Sequence, residues 1–468
     1  MEKVQRDLVV LGGGPGGYSA AFRAADLGRE VTLIEKGETL GGVCLNRGCI
    51  PSKSLLHLSE VLADAKSVRT AGITFAEPTL NLDEIRSHKE QSVTTLTNGL
   101  DQLVKVRNVE RIVGEGKLAS NTSLVVSTSE KTYEIEFTDL IVATGSRPAT
   151  LPFIPYEDPR VWDSTKALEL PFIPKHLVVL GGGIIGMEMA AIYHALGSEI
   201  TIVEMADGII PPADRDIRQV LMKNIKKEYK AILTKSKVSA VEPTKEFLRI
   251  TVDGPKESIT IESDALLVAV GRKANSDTID IEKSSIATNE KGWIITNEKQ
   301  QTNVKHIYAI GDVTGDPMLA HRATYQAKVA AEVASNLISA FTPLGIPSVA
   351  YTQPELAWVG LTETEAKEKD IPYIKGAFPW QASGRAITSM QDSGVSKILF
   401  DPETKRVLGA GIAGKNAGEL IGEAIIALEM GSVAEDLALA IHPHPTLNET
   451  LSVAAQLAEG TATDLTNR

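Results

Sequence analysis

The sequence predicts an α/β fold, with parallel sheets in two halves and an α+β segment at the C-terminus. Three observations lead there. Apolar runs of about five residues stop at glycine, as strands buried on both faces of a sheet do; LIVATG, LLVAVG and HIYAIG are examples. A strand, a glycine turn and a small-residue helix occur together twice, at DLVVLGGGPGGYSAAFRAADLG and HLVVLGGGIIGMEMAAIYHALG. Each is followed by a second strand ending in glutamate, Glu35 in EVTLIEK and Glu204 in EITIVEM.

A chain of 468 residues is too long for one core, so several domains are expected. The net charge of -12 argues against nucleic acid or an anionic membrane as partner. No apolar run reaches the roughly 18 residues of a membrane span. The N-terminus runs straight into a strand without a signal-peptide pattern, so a cytoplasmic protein is expected.

The two glycine turns share one mechanical pattern. Gly12 and Gly181 make the tight turn, and Gly14 and Gly183 let backbone approach a pyrophosphate. Gly17 and Gly186 let helix and strand pack closely. The helix N-terminus favours the phosphate charge, and the glutamate accepts from a ribose hydroxyl. In both units the acid comes 23 residues after the first glycine. Two dinucleotides are therefore expected. Glu204 would repel a 2′-phosphate and no arginine follows in MADG, so the second site favours NAD over NADP.

GGVCLNRGCIPSK holds Cys44 and Cys49, the only two cysteines. Helical residues five apart lie about 140° apart around the axis and about 7.5 Å along it. A disulfide needs Cα atoms within about 7 Å, so the backbone must bend, and Gly48 permits that. A cytoplasmic disulfide is usually a redox reagent. The pair lies inside the first dinucleotide unit. Thiols exchange two electrons and NAD a hydride, and a flavin joins the two chemistries. FAD is thus expected in the first site and NAD in the second. The strand before Asp312 places that carboxylate at a sheet's ligand-binding end.

Together GGVCLNRGCIPSK, ATGSRP, GGGIIGME, AIGDV and HPHPTLNE, in one order from about Arg6 to Asp464, resemble the dihydrolipoamide dehydrogenases. These are flavoprotein disulfide reductases that serve 2-oxo acid dehydrogenase complexes as their E3 component. The resemblance implies oxidation of dihydrolipoyl groups through a Cys44–Cys49 disulfide and FAD, with hydride passed to NAD. Cys44 would be the interchange thiol and Cys49 the thiol beside the flavin. Lys53 would lie near the flavin and pair with Glu188. Gly116, Thr144, Gly145, Asp312 and Ala320 would complete the FAD site, and Ile184, Val238 and Gly271 the NAD site. His444 would be the base, oriented by Glu449, and would serve the other subunit of a homodimer; His442 would be an ordinary structural histidine.

The implied partners are lipoyl domains of 2-oxo acid dehydrogenase E2, the glycine cleavage H protein or another lipoyl carrier. No metal site is expected. Arg47 and Pro443 depart from the family pattern; Arg47 either acts on the thiols or on an acidic lipoyl domain, or is a solvated side chain of little effect, and the sequence assigns it neither role. The expected order is an FAD domain over 1–146, an NAD domain over 147–271, a central domain over 272–342 and a dimerisation domain over 343–468. A glutathione-reductase-like enzyme is disfavoured by Glu204, and a mercuric reductase by the absence of C-terminal cysteines. A non-catalytic assembly subunit is disfavoured by the retained Cys44, Cys49, Lys53, His444 and Glu449.

Overall fold

A computed structural model describes residues 2–466. The described residues divide into two compact units, one formed by residues 2–54, 83–149 and 271–342, the other by 55–82, 150–270 and 343–466.

The first unit is built on a sheet whose strands run Glu110–Val113, Val31–Glu35, Glu2–Leu11, Thr132–Val142, Ser123–Ser127 and Glu115–Leu118. Ile307–Ala309 joins it in parallel beside Leu140–Val142. Successive side chains of a strand point to opposite faces. In LVVL, Leu8 and Val10 therefore enter one core with Leu33 and Ile141. Val9 and Leu11 enter another with Leu124, Leu140 and Ile307. Covering both faces is what makes the run apolar without alternation. Helix Pro15–Asp26 packs on helix Ala320–Ala334 through Ala20, Ala21 and Ala24 against Ala327, Ala330 and Ala331. Small side chains allow that close approach.

The second unit carries a parallel sheet ordered Ala231–Leu233, Glu199–Val203, His176–Leu180, Ala265–Val268 and Val161–Trp162. An antiparallel sheet of Lys237–Pro243, Leu248–Asp253 and Ser258–Ser263 supplies Leu248, Ile250 and Val252 to the core formed with Val178, Leu180 and Val203. Toward the C-terminus, five antiparallel strands (Ser348–Ala350, Glu355–Gly360, Val407–Gly414, Val395–Phe400 and Ile374–Pro379) share a core with helices Ala417–Glu429, Ala434–Leu439 and Glu449–Glu459. The α/β class and the strand ends at LIVATG, LLVAVG and HIYAIG agree with the sequence reading. No helix among the described residues is long and apolar enough to cross a membrane.

Candidate active site and dinucleotide turns

Gly12 leaves its strand at φ +109°, where an added Cβ would run into the Ala143 carbonyl oxygen. A Cβ on Gly17 would strike the Gly12 carbonyl, so this glycine is what brings helix Pro15–Asp26 against the strand. Gly14 is different. The nearest atom to an added Cβ is Gly42 Cα, 3.9 Å away, and the backbone face is open. The helix it begins has no side-chain cap, which leaves N–H groups for an anion. Glu35 accepts the Gly13 N–H at 2.6 Å and the Gly37 N–H at 2.8 Å, one on each oxygen.

The second turn repeats this residue for residue. Gly181 has φ +107° and faces the Ala269 carbonyl, and a Cβ on Gly186 would strike the Gly181 carbonyl. A Cβ on Gly183 would meet nothing within 4 Å. Helix Ile184–Ala195 starts without a side-chain cap, so the Ile184 end is equally open to an anion. Glu204 accepts the Gly182 N–H at 2.6 Å and the Ala206 N–H at 2.7 Å. Each carboxylate keeps lone pairs for a ribose hydroxyl. Two open cradles, each backed by an uncapped helix and flanked by a positioned acid, fit two dinucleotides.

The cysteine loop is stitched to the first turn. Gly41 N–H donates to the Gly13 carbonyl at 2.8 Å, and Gly42 lies so close to Gly14 that a Cβ would come within 2.7 Å of its Cα. Helix Gly42–Arg47 ends at Gly48, and helix Cys49–Ser67 begins at once. The bend falls between the cysteines, as the spacing requires. Both residues are thiols; Cys44 is half-buried beside the core, and Cys49 is exposed. A hydrogen bond with Cys49, then burial, push the Cys44 thiol far up, and the cation opposing this is Lys53. Arg47 is exposed. Tyr18, which the sequence reading passed over, packs in the same core, and burial followed by the two cysteines raises its phenol.

Asp312 opens the turn after strand Ile307–Ala309. Ser146 Oγ donates to Asp312 Oδ2 at 2.5 Å, and Arg272 Nε donates to Ser146 Oγ at 2.7 Å. Neither Ser146 nor Arg272 was expected; each follows the glycine of a turn after a buried strand, and that was the only local signal. Asn275 holds the Thr144 carbonyl at 2.9 Å and donates its own N–H to the Gly145 carbonyl, while Thr144 Oγ1 is buried without a partner. Gly116 sits where a Cβ would press on Leu11, at the end of strand Glu2–Leu11. Ala320 begins helix Ala320–Ala334, again without a side-chain cap.

In the second unit, Glu188 is 4% exposed and accepts the Tyr351 N–H at 3.2 Å. Val238 is buried in the core that also holds Val203. Gly271, the first residue of the last segment of the first unit, has open space where a side chain would stand. His444 Nδ1 lies 2.8 Å from Glu449 Oε1, and its side chain is 81% exposed. His442 is bonded to Glu423 at 2.8 Å and is 12% exposed, which suits a structural role. Among the described residues, Asp214, Asp216 and Glu363 form the one carboxylate group spaced to hold a metal, and Lys397 Nζ already occupies its centre.

Residues 6–327 match the pyridine nucleotide-disulphide oxidoreductase family, and residues 346–455 its dimerisation domain. The chain belongs to the pyridine nucleotide-disulphide oxidoreductases. A dihydrolipoyl dehydrogenase of Vibrio parahaemolyticus is 50% identical over 468 residues, covering 100% of this chain and 98% of the relative. One from Bacillus subtilis is 40% identical, covering 98% and 97%. Among solved structures, LpdA of Mycobacterium tuberculosis aligns at TM-score 0.88 with 25% identity, over 97% of this chain and 99% of that one. The HOCl-induced flavoprotein disulfide reductase RclA of Escherichia coli aligns at 0.86 with 28% identity, over the same shares. As a pyridine nucleotide-disulphide oxidoreductase the chain uses FAD and NAD(H), and its dimerisation domain pairs it with a second copy.

Proposed function

We propose that this protein oxidises protein-bound dihydrolipoyl groups to the lipoyl disulfide with NAD⁺ as final acceptor, a dihydrolipoyl dehydrogenase activity. The observation that carries this is the thiol pair, broken by Gly48 and tied through Gly41 to the dinucleotide turn at Gly13. The full-length relatives of that activity support it.

In the oxidised enzyme, His444, oriented by Glu449, takes the proton of one dihydrolipoyl thiol. The thiolate attacks Cys44 and breaks the Cys44–Cys49 bond, leaving a mixed disulfide and a Cys49 thiolate. The second dihydrolipoyl thiol then displaces Cys44, giving the lipoyl disulfide and an enzyme dithiol. FAD, when bound, supplies the two-electron acceptor between that dithiol and NAD⁺.

The first turn, with Gly12, Gly14, Gly17 and Glu35, together with Lys53, Asp312 and the Ala320 helix end, would hold FAD. The second, with Gly181, Gly183, Gly186 and Glu204, would hold NAD, with Glu188, Val238 and Gly271 around it. The same reading divides the chain at 146, 271 and 342, places it in the cytoplasm and gives it lipoyl domains as partners. NADH formation from dihydrolipoamide by the FAD-loaded protein tests the proposal. Turnover only with NADPH and a small disulfide would overturn it.

A further inference from the structure

We propose that Lys397 is a positioning residue for the second dinucleotide turn, acting through Asp214 and the loop that joins Asp214 to Glu204. It rests on NAD binding at that turn.

Lys397 is 2% exposed, and its Nζ donates to Asp214 Oδ2 at 2.8 Å, Asp216 Oδ1 at 2.7 Å and Glu363 Oε1 at 2.7 Å. An ammonium has three protons, and all three are used. Asp214 also accepts N–H groups of Glu363 at 2.9 Å and Thr364 at 3.0 Å. It is thereby fastened to the C-terminal sheet, which carries Lys397 on strand Val395–Phe400. Asp214 also stands at the N-cap of helix Arg215–Ile225. A Cβ on Gly411 would run into Ile217 Cδ1 of that helix, which would have to shift to admit it.

The loop running back from Asp214 touches the dinucleotide turn itself. Ile210 N–H donates to the Gly182 carbonyl at 2.7 Å. Ile209 lies within 3.2 Å of where a Gly182 Cβ would stand. Gly182 in turn donates its N–H to Glu204 Oε2. Gly182 is thus gripped from both sides, by Glu204 through its N–H and by Ile210 through its carbonyl. Ile210 is only four residues from the fixed point at Asp214, and Pro211 and Pro212, whose rings fix φ, stiffen the span between them. A loosened Asp214 moves Ile210, and with it the turn and the carboxylate that meets the ribose. Lys397 touches neither nucleotide nor reacting atom, so its effect falls on nucleotide affinity.

The FAD-loaded homodimer carrying Asp214→Asn or Lys397→Arg is the test, with flavin content and melting temperature measured beside kinetics. Asp214→Asn is expected to raise the KM for NAD about fivefold or more, with the KM for dihydrolipoamide and kcat held within twofold. Lys397→Arg, which keeps the charge, is expected to show a smaller rise. A lowered melting temperature with an unchanged KM for NAD would make the cluster a structural clamp only and overturn the proposal. Glu204→Ala is the control for the underlying assignment. If it leaves NAD binding intact, the nucleotide is elsewhere; if it weakens NAD while Asp214→Asn does not, the positioning role alone fails. Should Asp214→Asn not accumulate as folded flavoprotein, Asp216→Asn removes only the half-exposed bond of the cluster and is read by the same KM split.

Discussion

His444 Nδ1 stands 2.8 Å from Glu449 Oε1, and the other oxygen of Glu449 accepts the Thr446 N–H at 2.6 Å. Burial would raise the Glu449 carboxyl, but Thr446 and His444 more than offset it and hold it below the ordinary range. The carboxylate is therefore charged and fixed, and it fixes the ring. Glu449→Gln should lower kcat for dihydrolipoamide about 10–100-fold. NADH oxidation by ferricyanide, which needs no thiol deprotonation, should be unchanged. Equal losses in both assays would mean that Glu449 serves the fold and not the proton transfer.

The thiols make a labelling prediction. Cys44 is half-buried and pushed far up by its bond to Cys49, whereas Cys49 is exposed at a helix start. In reduced, FAD-stripped protein, iodoacetamide should therefore label Cys49 first. With FAD beside Cys49, as the family resemblance implies, the order should reverse. Peptide mass spectrometry reads both orders, and a reaction order indifferent to FAD would refute the assignment of Cys49 to the flavin.

The glycines of one turn should separate binding from stability. At Gly183 a methyl group enters open space with φ -72°, so Gly183→Ala should fold normally while raising the KM for NAD about tenfold. At Gly186 the methyl would meet the Gly181 carbonyl, and Gly186→Ala should lose roughly 1–3 kcal/mol of unfolding free energy. Denaturant titration beside NAD kinetics distinguishes them. A fully stable Gly186→Ala protein would contradict the close helix–strand contact.

Acid should loosen the Lys397 cluster. Burial would raise Glu363, but its bonds to Lys397 and other donors dominate and bring it from 4.5 to about 2; Asp214 is lowered for the same reason. Because the folded carboxyl lies below its unfolded value, the stability it contributes is complete above about pH 4.5. It is lost as pH falls toward 2. Unfolding free energy should thus fall through this window in the wild type and less steeply in Glu363→Gln. Parallel curves for the two proteins would show that Glu363 carries none of the acid sensitivity.

What was legible in the sequence is what short segments determine. Gly12, Gly14, Gly17 and Glu35 lie within one strand–helix–strand unit, so their spacing states their geometry, and the same holds for Gly181 to Glu204. The bend at Gly48 follows from helix geometry, and His444 reaches Glu449 across only five residues. The illegible part is long-range. Ser146 bonds Asp312 across 166 residues, and Lys397 bonds Asp214 across 183. No local pattern marks either pair, because each meets only after separate strands have taken their places. Lys53, one helical turn beyond Cys49, opposes the rise of the Cys44 thiol.

The bond from Gly41 N–H to the Gly13 carbonyl joins two pieces of main chain, with no side chain in the link. The offset between phosphate cradle and sulfur is consequently written in peptide geometry. Exposed Val43 can drift through mutation without altering it. Descendants of this chain are free to change which disulfide they admit while inheriting the same electron path length.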